Sequence, residues 1–161
     1  TTAGTDSAVG ENKIRGMRNF SNKIWNAARF VLTQRETLNS KSETLNKSKI
    51  QNSKQENVTE FYKKLSCVVE SVTHQLNDLK IGLAAETIYN EFWHWFCDGA
   101  IEQCKRDELS IEDLQMGLIT FLKLLHPFVP FVTEEIWQIL PDEIKKAEKL
   151  LMTAHWPKTK E

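Results

Sequence analysis

The sequence has no apolar run long enough to cross a membrane, and its N-terminus lacks the basic-then-apolar pattern of a secretory signal. No membrane partner is expected. It also lacks long strand-like alternation and any glycine-rich phosphate loop, which argues against a β fold and against a nucleotide-binding α/β fold. Cysteine is scarce: Cys67, Cys97 and Cys104 are an odd number in no framework spacing, which favours a reducing compartment over a disulfide scaffold. Net charge is nearly absent too. The formal value is −1, so any nucleic-acid binding has to come from local segregation of charge. The 161 residues, 40% apolar and 27% charged, have room for one helical domain with a real core, plus appendages. Thr1 to Gly10 has no periodicity and reads as a linker, so the chain is expected to be a piece of something larger.

The most informative absence is local. No acidic residue falls between Glu11 and Glu36. At about 100° per residue, Ile14, Met17, Phe20, Ile24, Trp25, Ala28, Val31 and Leu32 share one side of a helix running from Glu11 to about Gln34. The opposite arc holds Arg15, Arg18, Asn19, Asn22, Lys23, Asn26, Arg29 and, among them, Phe30. A solvated face ordinarily mixes Glu with Lys for (i, i+4) pairing. Cations suit phosphates, amides suit base edges, and an exposed ring suits stacking on an unpaired base. The competing reading is a solvated face that happens to lack acids.

The rest of the chain predicts an all-α antiparallel bundle of about five helices. Residues 36–57 are polar and contain only Leu38, Leu45 and Ile50 as apolar residues, so they are expected to be a solvated, mobile connection. A second helix is predicted from about Val58 to Leu76. A third, apolar on most sides, is expected over Lys80 to Arg106 as the central helix. Ser110 with Asp113 resembles a capping box that opens a fourth helix, and His126-Pro127 breaks it. A last helix runs from Pro130 to Leu140 with Phe131, Ile136 and Ile139 inward, and Leu150-Leu151-Met152 is read as a lone strand pairing with a part of the parent protein outside this chain. The domain boundaries are a linker over 1–10, the helical domain over 11–141 and an appendage over 142–161. Phe20, Trp25, Val69, Phe92, Leu118, Leu122 and Phe131 are the expected core.

Three blocks carry a family resemblance. The run Arg18-Asn19-Phe20-Ser21-Asn22-Lys23-Ile24-Trp25-Asn26-Ala27-Ala28-Arg29-Phe30-Val31-Leu32 resembles the opening helix of the anticodon-binding domain of valyl-tRNA synthetases. Phe92-Trp93-His94-Trp95-Phe96-Cys97-Asp98 is similar to that family's mid-domain aromatic segment, although Gly99-Ala100 follow where bulky aromatics are common. Leu124-Leu125-His126-Pro127-Phe128-Val129-Pro130-Phe131-Val132-Thr133-Glu134-Glu135-Ile136-Trp137 resembles its late signature, which isoleucyl and leucyl relatives share. The resemblance covers roughly Gly10 to Pro157, and the 36–57 connection is longer and more polar than it requires. The class I signatures that mark the ATP site are absent from the chain.

The resemblance implies a tRNA(Val) anticodon stem-loop partner and contact with the rest of a parent synthetase chain, with no DNA partner. Catalysis, using ATP with Mg²⁺, would lie in domains outside this chain, and no catalytic residue is expected within it. Arg15, Arg18 and Lys23 are the expected phosphate contacts; Asn26 and Arg29 are expected at the anticodon bases, with Phe30 stacking, and Asn22 is expected among the tRNA-binding residues. Ile101 and Lys105 would project toward the same RNA. The implied location is cytoplasmic, with an organellar parent left open.

The alternatives stay on the table. Phe30 could instead anchor a protein–protein interface with the charged arc as its rim. Trp93, Trp95 and Phe96 read as core rather than as a stacking platform. His94, Cys97 and Cys104 lack the remaining ligands of a zinc set, so no metal is expected. Asp98 is expected to be satisfied by local hydrogen bonds or an Arg partner. Glu134 and Glu135 are read as first-turn acids favoured by the helix dipole.

Overall fold

The computed structural model describes residues 10–40, 51–145 and 148–158. Helix α1 spans Glu11–Ser40 and α2 spans Gln51–Asn77. Both run past their expected ends, so the flanks of the supposed connection are helical; residues 41–50 lie outside the described residues, as do 1–9 of the linker. Once a helix is nucleated by a buried stripe, propagation adds one backbone hydrogen bond for each residue fixed, so it can run beyond that stripe.

After a turn at Asn77–Lys80, one continuous rod changes pitch twice: α3 (Ile81–Asn90), a π-helical segment (Glu91–Ala100) and α4 (Ile101–Lys105). The Ile101 N–H reaches the Phe96 carbonyl five residues back, the signature of the wider turn. Then come α5 (Ile111–Leu125), α6 (Pro130–Ile139), the short α7 (Asp142–Lys145) and a 3₁₀ turn at Leu151–Thr153. Ser110 caps α5 as expected, accepting from the Asp113 N–H at 3.1 Å, while its hydroxyl donates to the Asp113 carboxylate at 2.6 Å.

The order of the contacts gives the topology. Phe20 meets Tyr89 and Phe92, Lys23 meets Asp98, and Phe30 meets Lys105, so α1 and the rod run in the same direction. Lys64 pairs with Glu91 while Phe61 packs on Trp95, so α2 runs against the rod. The hub is α5 rather than the rod. It touches α1, α2, α3, the π segment, α4 and α6, and buries Leu114, Gly117, Leu118, Phe121, Leu122 and Leu125 among others.

Of the expected core, Phe20, Val69, Phe92, Leu118 and Leu122 are buried, and Trp25 is half-buried against them. Phe131 is not; it is 91% exposed, and Ile139 also faces outward. The inward stripe of α6 is Thr133, Ile136 and Trp137. A threonine can occupy that place because its hydroxyl is satisfied. It donates to the Val129 carbonyl at 2.9 Å and meets His126 Nδ1 at 2.9 Å. Phe131, half a turn away from this stripe, then has to point out. On α1, Ile14 and Met17 are likewise exposed, because the buried stripe begins only at Phe20.

Leu150-Leu151-Met152 forms no strand. Leu150 is extended, but Leu151 enters the 3₁₀ turn with its side chain buried. The N–H groups that a strand would offer to a partner are satisfied within the chain: the Glu134 carboxylate accepts from the Leu151 N–H at 3.1 Å and the Met152 N–H at 3.3 Å. Glu134 is therefore a clamp on the C-terminal segment, and no acid occupies the first turn of α6.

Candidate nucleic-acid interface

Burial of Phe20, Ile24, Ala27, Ala28 and Val31 fixes the rotation of α1. It leaves Arg15, Arg18, Asn19, Asn22, Asn26 and Arg29 exposed along the outer arc. Arg18 and Arg29 carry no ion pair among the described residues. Arg15 pairs with Glu11 at 2.7 Å, but both side chains are largely in water, where such an (i, i+4) pair is worth only a few tenths of a kcal/mol.

At the edge of the arc the rod supplies what α1 lacks. The Lys23 ammonium donates to Asp98 Oδ1 at 2.9 Å and stands 5.0 Å from the centroid of the Trp93 ring. Trp93 in turn lies against Phe20 and Tyr89. Asp98 thus finds a lysine, not an arginine, and His94 Nδ1 approaches its other oxygen at 3.6 Å. The stretch of α1 between Glu11 and Glu36, which has no acid of its own, acquires one through space.

Two of the expected contacts are placed differently. Phe30 is half-buried and packs against the core, with the Lys105 ammonium 5.4 Å from its centroid, so it does not stand free in the arc. Lys105 is exposed and also donates to Glu102 at 2.6 Å. Ile101 is only 7% exposed and belongs to the core, because it sits one turn after Cys97 on the inward side of the rod. It does not project toward a ligand on this surface. Sequence reasoning missed Asp98 and Glu102 as members of the site. Their spacing from α1 in the chain carries no signal of contact; only the parallel packing of α1 and the rod creates it.

The two thiols of the rod, Cys97 and Cys104, are covered in whole or in part, whereas Cys67 on α2 is exposed. Burial pushes the Cys97 thiol up to about 12, and burial also raises that of Cys104, so both stay protonated near neutrality. Among the described residues no group of three or more His, Cys, Asp or Glu side chains is placed to hold a metal ion. Trp95 and Phe96 pack with Phe61 and Phe121, as core aromatics do.

What the surface offers is exposed guanidinium and amide groups on α1, Arg18 and Arg29 without an ion pair among the described residues, bordered by a clasped lysine and a ring. Residues 58–161 match the family described as the anticodon-binding domain of tRNA ligase, and the chain belongs to that family. Its relatives narrow the class to valine. The chain is 38% identical to the valine–tRNA ligase of Carboxydothermus hydrogenoformans and 34% identical to that of Clostridium tetani, in each case over 98% of the chain and 18% of the relative. The corresponding values for the Campylobacter jejuni valine–tRNA ligase are 33%, 98% and 17%. The family match begins at Val58, so α1 lies outside it, whereas these similarities include nearly the whole chain.

Proposed function

We propose that this chain is the anticodon stem-loop recognition module for tRNA(Val) within a valine–tRNA ligase. In this reading ATP, Mg²⁺ and the joining of valine to tRNA belong to other domains of the parent, and this domain holds and reads the far end of the substrate. The observation that carries it is the unpaired exposed set of Arg18, Asn22, Asn26 and Arg29 on α1. Arg18 supplies charge to a phosphate, and Arg15 joins it once its weak pair with Glu11 opens. Asn22, Asn26 and Arg29 offer donors and acceptors to base edges, and the open part of Phe30 offers a stacking edge. Lys105, exposed beside Phe30, extends the cationic border.

The test is binding of the full chain to a stem-loop with a valine anticodon and to anticodon-swapped versions, across a salt series. Arg18→Ala should weaken all of them and flatten the plot of log affinity against log salt by roughly one unit. Asn26→Ala should instead shrink the ratio between matched and swapped loops. Salt-insensitive binding with no anticodon preference would reject the reading.

A further inference from the structure

Lys23 is the cation of this surface that the fold treats differently from Arg18 and Arg29. Its ammonium is hydrogen-bonded to Asp98 at 2.9 Å and stands over Trp93 at 5.0 Å, with only 31% of its side chain exposed. Both partners come from the π-helical segment. In an α-helix, residues five apart point about 140° away from one another at about 100° per residue, too far to clasp one group. The wider turn of a π-helix brings positions i and i+5 much closer to one face, and π segments recur at functional sites. The local departure from α geometry thus builds the clasp.

A lysine paired in this way brings no net charge to the surface. The counterion-release contribution of a cation depends on its neutralising a phosphate, and Asp98 already occupies that role. An RNA that drifts onto the surface gains from Arg18 and Arg29 but has to break the Lys23–Asp98 pair before it gains from Lys23. Only a ligand already docked by the rest of the arc meets Lys23 often enough to compete. Specificity built by penalising the wrong ligand has this form.

We propose, resting on the RNA-binding reading above, that Asp98 is a specificity-determining residue that withholds Lys23 from indiscriminate phosphate binding. The experiment uses the full chain with two probes, an unstructured mixed-sequence RNA oligonucleotide and the valine anticodon stem-loop, each titrated across salt. Asp98→Asn frees the Lys23 charge. For the oligonucleotide it should steepen the slope by about 0.7 unit, so that affinity rises between two- and threefold more than in wild type from about 200 to about 50 mM salt. The ratio of stem-loop to oligonucleotide affinity should fall. Asp98→Glu, which keeps a carboxylate, should restore the wild-type slope. The double variant Lys23→Gln with Asp98→Asn should also return to it, because the wild-type pair is already neutral; this arm stands even if Asp98→Asn alone disturbs the helical circular-dichroism signal. An unchanged slope in Asp98→Asn overturns the proposal. So does a double variant about 0.7 unit flatter than wild type, since Lys23 would then already bind phosphate. A separate arm, Arg18→Ala with Arg29→Ala, tests the underlying reading: if it leaves RNA binding unaltered, that reading fails and the proposal with it, whereas lost binding alongside an unchanged Asp98→Asn slope rejects the proposal alone.

Discussion

Phe30 lies at the angular edge of the buried stripe of α1, where a ring is partly covered by the core and partly open. Under the proposed function it would serve both packing and stacking. Phe30→Ala should lower thermal stability by an amount worth about 1–2 kcal/mol through lost packing, and also weaken stem-loop binding through loss of the stacking edge. Thermal melts and RNA titrations on the same protein separate the two, and an unchanged melt would mean that the ring is not packed. Leu79 is a cleaner single-residue case. Its φ of 60° is in the left-handed region and its side chain is 81% exposed, so it contributes strain without burial. Leu79→Gly relieves the strain and pays some chain entropy, for a net gain of about 0.5–1 kcal/mol measurable by urea denaturation.

At the scale of elements, the approach of α2 and the π segment to α5 depends on one missing side chain. A Cβ built on Gly117 would stand 2.7 Å from Cζ of Phe61 and 2.8 Å from Cε2 of Phe96. Both rings are buried, so neither can swing away freely. Alanine at an ordinary helix interior would stabilise by up to about 1 kcal/mol. Here Gly117→Ala should reverse that sign and destabilise by about 1–3 kcal/mol, by overpacking. A rise in melting temperature would show that the helices can separate at low cost. The same aromatic layer joins Phe92, Phe96 and Phe121, so displacement at Gly117 reaches the segment that carries Asp98.

Across the whole molecule, the C-terminal segment ties distant helices together. Trp137 Nε1 donates to the Glu148 carbonyl at 3.0 Å, and Trp156 Nε1 donates to Thr73 Oγ1 of α2 at 2.9 Å. The Glu148 side chain accepts from Lys123 of α5 at 2.8 Å and from the His155 N–H at 2.9 Å. Burial alone would raise its pKa, but these hydrogen bonds and the Lys123 charge outweigh burial and hold it at about 2. Because the folded value lies below the unfolded one, the pair stabilises the fold above about pH 4.5 and loses that contribution as pH falls toward 2. With the screening that solvent gives this partly exposed pair, the linked stability is on the order of 1–2 kcal/mol. Glu148→Gln should therefore melt lower at pH 7 and show a smaller further loss between pH 5 and pH 2.5 than wild type. Parallel pH curves would reject the linkage.

Periodicity and punctuation were enough to define the helical class, the Ser110 cap, the break at His126-Pro127 and the rotation of α1 from Phe20 onward, because each rests on neighbours within a turn or two of the chain. The cationic arc was legible for the same reason. Among the judgements that failed were two that counted an apolar residue as inward by type, and one, Ile101, that counted an apolar residue as outward. Phe131 and Ile139 lost their places to Thr133 and Trp137, whose polar atoms found partners on other segments. Ile101 turned inward with the rod, and Leu151 found Glu134 in place of a neighbouring strand. Lys23 read as a free cation until parallel packing brought Asp98 against it. Local sequence determines which face of a helix is greasy and which is charged. Only tertiary packing decides which polar groups are already satisfied, because their partners lie tens of residues away and leave no periodic trace.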